Sequence, residues 1–226
     1  MLLSKTILRK ISKLSVLIFT AYAVLLCSGC AVGQKLNYSG IAANLAVSGS
    51  KAVGVASLDR RPYVLSGEKN PDYAGTMRGG YGNPFNVGTE SGQTLADDMT
   101  QVIAAALTRK GFKTRSVVTT NKDNSDVVIE KLKTTGGDNL ILLTINDWKS
   151  DFAGFVAFRV WLDYDATLRV FEKSGKIIAE TAIKGNDDLG SAGEPVGYTK
   201  KVVPEAFQRK IEELLNNPEV MKALQQ

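Results

Sequence analysis

Residues 155–171 read Phe-Val-Ala-Phe-Arg-Val-Trp-Leu-Asp-Tyr-Asp-Ala-Thr-Leu-Arg-Val-Phe. Phe158, Val160, Leu162, Tyr164, Ala166, Leu168 and Val170 fall on one parity; Arg159, Trp161, Asp163, Asp165, Thr167 and Arg169 fall on the other. Side chains of a strand alternate between its two faces, so this period of two predicts a long antiparallel strand with one face buried and one wet. Lys173-Ser174-Gly175-Lys176 supplies a hairpin turn, and Ile177 to Lys184 runs back. Upstream, Leu140 to Ile145 is continuously apolar, as expected of a strand covered on both faces, with Asn146-Asp147-Trp148 as its end.

Helical periodicity is clearest over Thr94 to Lys110. Leu95, Met99, Val102, Ile103, Ala106 and Leu107 make one stripe, Thr94 caps it, and Gly111 ends it. Asp123 to Thr135 is a weaker helix, stopped by Gly136-Gly137. Lys200 to Asn216 is a third, with Pro204 placing its start near Val203, and Asn217-Pro218 opens a short fourth. Lys51 to Leu58 and Phe112 to Thr120 read as strands, and Gly185 to Gly197 as a polar loop. Asp59 to Gln93 holds seven glycines and three prolines and reads as a glycine-rich loop, although Tyr63, Tyr73, Tyr81 and Phe85 argue against simple disorder. The order predicts an α+β (two-layer α/β) fold: a mixed β-sheet with a long antiparallel hairpin and helices packed on one face.

The amino terminus gives an address. Lys5, Arg9, Lys10 and Lys13 precede an apolar run from Val16 to Leu26, which ends in Ser28-Gly29 before Cys30. The run is too short to span a bilayer comfortably and has the layout of a secretory signal peptide. A cysteine directly after the small pair resembles a bacterial lipoprotein signal, in which Cys30 is lipidated. Cleavage before Cys27 would leave bulky Leu26 at the cut, so Cys30 is preferred. An ordinary membrane anchor and a soluble secreted product are the other readings. The expected organisation is a signal peptide over 1–29, a flexible tether over 30–50 and one domain over 51–226 that carries the loop 59–93.

Four of the net +5 charges lie in that leader, so no basic footprint for nucleic acid remains on the body. Both cysteines also lie there, and the chain has no histidine. Disulfides, thiolate nucleophiles, Ser-His-Asp triads and His- or Cys-ligated zinc are therefore excluded from the body. No cofactor or metal is expected: Asn186, Asp187, Asp188 and Glu194 lack calcium-loop spacing, and Gly79-Gly80-Tyr81-Gly82 is not followed directly by a helix. Asp163 and Asp165 share a face with Arg159 and Arg169, which suits a cross-paired surface better than acid/base catalysis. Arg60, Arg61, Tyr63, Arg78, Tyr81 and Phe85 combine cations with aromatic rings; they form either a binding surface or a loop packed over the sheet.

Three stretches carry a family resemblance: Leu58-Asp59-Arg60-Arg61-Pro62-Tyr63-Val64-Leu65-Ser66-Gly67, Arg78-Gly79-Gly80-Tyr81-Gly82-Asn83-Pro84-Phe85, and Gly185-Asn186-Asp187-Asp188-Leu189-Gly190. They resemble a family of proteobacterial outer-membrane lipoproteins with no assigned activity. The layout is more loosely similar to YajG-type lipoproteins and the N-terminal domain of TolB. The resemblance implies lipid anchoring in the outer membrane, facing the periplasm, and singles out Asn83 beside the arginines and tyrosines. The expectation is a non-enzymatic accessory module with an envelope protein partner; the alternative is a lipoprotein that binds a lipid, glycan or peptidoglycan fragment. Oligomeric state is not legible.

Overall fold

The computed structural model describes residues 34–78, 82–154 and 157–226. The hairpin forms as its alternation predicts. Strand β7 (Phe158–Glu172) buries Val160, Leu162, Tyr164, Ala166, Leu168 and Val170, and β8 (Ile177–Ala192) returns antiparallel beside it. The stretch expected as a polar loop from Gly185 is thus mostly strand. Its polar residues sit on a sheet with one wet face, where they need no loop.

The other half of the sheet is organised by β6 (Asn139–Ala153). One edge of β6 pairs with β7 along its whole length. The opposite edge pairs in parallel first with β2 (Ala52–Asp59) and then with β3 (Tyr73–Arg78). Outside β2 lies β5 (Lys113–Ser116); outside β3 lie β4 (Pro84–Thr89) and then β1 (Lys35–Leu36). The eight strands make one mixed sheet, curled into a half-barrel with helices packed against it.

Asn146-Asp147-Trp148 does not end β6. The register shifts between Ile145 and Asp147, leaving Asn146 exposed as a bulge. An extra residue inverts the parity of everything beyond it. Before the bulge Ile141, Leu143 and Ile145 face the main core; after it Trp148 and Phe152 do, and Asp147, Lys149 and Asp151 turn outward.

Helix α2 (Leu95–Arg109) has the predicted Thr94 cap, whose hydroxyl accepts from Asp97 N–H, and ends at Gly111 with φ of 93°. Together with α4 (Pro195–Leu215) and α5 (Pro218–Gln225) it fills the main core against the inner faces of β6 and β7. Helix α3 (Ser125–Lys133) is the exception to one-sided packing. Its Val128 and Leu132 meet Ala56, Leu58, Leu140, Leu142 and Phe171 in a second cluster, on the opposite face of β2 and β6. Helix α4 begins earlier than Pro204 suggested. Glu194 accepts from the N–H groups of Val196 and Gly197, and Pro204 sits inside the helix.

Two further expectations are corrected. From Gln34 onward the supposed tether belongs to the body, with Leu36, Tyr38, Ala43, Leu45 and Val47 in the main core. Small and polar neighbours hid these anchors, whose burial arises from contacts distant in sequence. The glycine-rich loop 59–93 holds helix α1 (Pro62–Leu65) and strands β3 and β4. Gly75 is required there because a Cβ on it would lie 1.8 Å from Ser150 O.

Candidate interaction surface

Two polar regions emerge, and they divide the residues singled out from sequence. The first is a buried junction where β2 ends and β6 changes partners. Arg61 is fully buried. Its Nε–H donates to both carboxylate oxygens of Asp59 (2.9 and 3.1 Å), and Nη2 donates to Asp59 Oδ2 at 2.7 Å. Nη1 donates to the carbonyls of Tyr73 (2.6 Å) and Trp148 (3.1 Å), and Nη2 also to that of Pro71. One guanidinium therefore ties β2, β3, β6 and the segment between β2 and β3. Burial opposes its charge, but the hydrogen bonds and charge of Asp59 outweigh that and hold Arg61 above its ordinary pKa. Tyr63 stacks edge-on against Tyr73 at 5.5 Å, and its hydroxyl donates to Asp147 Oδ1 at 2.8 Å. Burial raises the Tyr63 pKa.

This removes Arg61 from any binding surface. A guanidinium whose donors are consumed inside the fold has none to offer a partner. Tyr63 is half-buried in the same junction. Arg60 is exposed, and among the described residues its guanidinium donates only a long bond, 3.5 Å, to Asp123 O.

The second region is the wet face of β6, β7 and β8. Its rows follow from register: Asp151, Trp161 and Asp188; Lys149, Asp163 and Asn186; Asp147, Asp165 and Lys184; then Arg169 and Glu180. Opposite charges meet along the rows or diagonally. Arg159 pairs with Asp188, Lys149 with Asp163 (3.4 Å), Lys184 with Asp165 (2.7 Å), and Arg169 with Glu180. Lys184 holds Asp165, and Arg159 holds Asp188, below the ordinary carboxylate range.

At one end of this face lies an open trough of about 420 Å³, lined by Arg78, Asp151, Phe152, Ala153, Trp161, Asp163 and Asn186. Asn186 Nδ2 donates to Asp163 Oδ1, and Asp151 Oδ1 accepts from Thr76 N–H. Arg159 lies over the Trp161 ring, 5.8 Å from its centroid. Arg78 is exposed, and among the described residues its guanidinium has no partner. The trough combines an aromatic plane, a guanidinium, carboxylate acceptors and an amide, suited to holding a polar partner. Among the described residues no cluster of three or more His, Cys, Asp or Glu is placed to hold a metal.

Of the described residues expected to bind, only Arg78 lines the trough. Asn83 is exposed just before β4, and Phe85 is half-buried against the main core. Tyr81 and Cys30 lie outside the described residues. Sequence reading missed Asp59, whose place two residues before Arg61 is the signal for the ion pair. It also missed Asp151, which becomes visible once the period of two is carried through Asp147, Lys149 and Asp151; Asn186, weighed there only as a calcium ligand, lies on the wet face opposite Asp163.

No protein-family model matches the chain, and no curated protein does. Among solved structures, protein XCC0632 from Xanthomonas campestris, of the DUF330 family, has 12% identity and a TM-score of 0.51, covering 85% of this chain and 96% of that one. PelC from Paraburkholderia phytofirmans, described as a dodecamer, has 10% identity and a TM-score of 0.43, covering 82% and 95%. Lipoprotein GNA1162 from Neisseria meningitidis has 16% identity and a TM-score of 0.36, covering 74% and 99%. At these identities the likeness to the Xanthomonas protein concerns fold alone, and the two lower scores carry no argument.

Proposed function

We propose that this chain is a lipid-anchored lipoprotein of the outer membrane, facing the periplasm, and a non-enzymatic module that engages an envelope protein through the wet face of β6, β7 and β8. The leader and Cys30 support the anchor, in keeping with the resemblance to YajG-type lipoproteins. Two or more acyl chains hold a protein to a bilayer stably where one does not. Among the described residues no helix is long and apolar enough to cross a membrane.

The observation that carries the interaction reading is the trough. On a face whose other charges are mostly paired, it leaves Arg78 without a partner among the described residues and Trp161 half-exposed, and Trp and Arg are among the residues most enriched in interface hot spots. A photo-crosslinking amino acid at Asn186, in the full chain in its native envelope, tests it. Recovery of one envelope protein, lost on Arg78→Ala and Trp161→Ala, is the expected result. Absence of any partner overturns it.

The trough's composition also favours a second reading, in which it binds a glycan fragment. An indole plane suits the C–H face of a sugar ring, and Asp151, Asp163 and Asn186 suit its hydroxyls. Trp148 is fully buried, so ligand-dependent fluorescence change would come from Trp161 and vanish in Trp161→Phe.

A further inference from the structure

Strand β8 is sixteen residues long and pairs with β7 alone. The sheet's other margins are β5, with four residues, and β1, with two. From Ile177 to Asp188 no backbone group bonds to anything outside β7 and β8 among the described residues. A free edge of this length is a template for another strand, and folded proteins usually shorten, bend or cover such edges.

Here the edge is regular along its middle. Ala179 to Asp188 stays in unbroken register with Val170 to Trp161, and the register shifts fall only at the two ends. No proline interrupts it. Helices α4 and α5 pack on the buried side, where Asn217 Nδ2 reaches the Thr181 side chain and not the backbone.

The charges along the edge select its occupant. Glu180, Ala182 and Lys184 are exposed on the wet face. In antiparallel self-pairing, each residue meets the one equally far on the other side of the centre. A centre at Ala182 sets Glu180 opposite Lys184 of the second copy, twice by symmetry. Centres at Glu180 and Lys184 oppose like charges, and those at Thr181 and Ile183 bring no charges together. A centre at Asn186 would also match Lys184 with Asp188, but it runs the strand through Gly190, whose φ is 90°, and past the register shift.

We propose that β8 pairs with β8 of a second copy, antiparallel about Ala182, joining two sheets into one. This dimer leaves both troughs on the wet face and does not depend on what they bind.

The test uses the full lipidated chain in its native envelope, with a short thiol crosslinker. The Ala182→Cys variant should yield a covalent dimer. The chain with only its native cysteines, the Thr167→Cys variant one strand inward, and the Asn186→Cys variant should not. Added to Ala182→Cys, either Glu180→Lys or Lys184→Glu should lower the yield about tenfold, because two symmetric pairs turn repulsive. Both reversals together should restore it, which a mere folding defect would not do. The proposal is overturned by no dimer from Ala182→Cys, by equal yield from Asn186→Cys, by insensitivity to the single reversals, or by capture of a different protein at this edge.

Discussion

The junction at Arg61 and the wet face of β6–β8 are both rich in charge, and they do opposite work. In the junction one cation and one carboxylate are out of water, and the guanidinium donates to Asp59 and three carbonyls. On the wet face the pairs are reached by solvent; Arg169 and Glu180 keep 30% and 50% of their side-chain exposure. Charge in the first place is part of the scaffold. In the second it can be rearranged at little cost, which is what a contact surface needs.

The largest break in that contrast is Arg61→Ala. It strands Asp59 in the interior and empties a packed site, so a loss of about 3–5 kcal/mol is expected from denaturant unfolding. Arg61→Lys should recover only part, because an ammonium cannot reproduce the fork.

Next comes a buried carboxylate on the inner side. Asp98 in α2 is fully buried, accepts from Ser91 Oγ–H, and is pushed up by burial from 3.8 to about 6. The folded state therefore holds this proton more tightly than the unfolded chain. That contribution to stability is complete below about pH 4 and is lost as pH rises through about 6. Asp98→Asn should remove the dependence and raise the melting temperature near pH 7.5 by roughly 2–4 °C relative to wild type, with little difference at pH 4.

Tyr63→Phe is smaller. It deletes the bond to Asp147 from a half-buried site, and about 1 kcal/mol is expected. Smallest is Arg169→Ala on the wet face, with about 0–1 kcal/mol in the same unfolding measurement. If Arg169→Ala cost as much as Arg61→Ala, the division into scaffold and surface would be wrong.

Much of the fold was legible because it follows from periodicity. The alternation through β7, the stripe and cap of α2 and the Lys173–Lys176 turn all have local causes. The errors fell where a residue's role is set by something far away in sequence. Asn146 looked like the end of a strand because a polar residue in an apolar run signals either an end or a bulge, and only the partner strand β7 decides between them. The glycines of 59–93 looked like a loop, whereas Gly75 is there to let β3 approach Ser150. Arg61 and Arg78 are the same residue type in neighbouring motifs; one is sealed among carbonyls and the other faces the trough.

What the amino-acid order determined by itself was the alternation, the Thr94 helix cap, and the chemistry ruled out by a body without histidine or cysteine. Tertiary structure alone decided which polar residues are buried, where parity inverts, and which strand keeps one edge unpaired among the described residues. The reason is physical: propensity, capping and amphipathic period act within a few residues, whereas desolvation of a charge and pairing of an edge depend on groups brought close only by the folded chain.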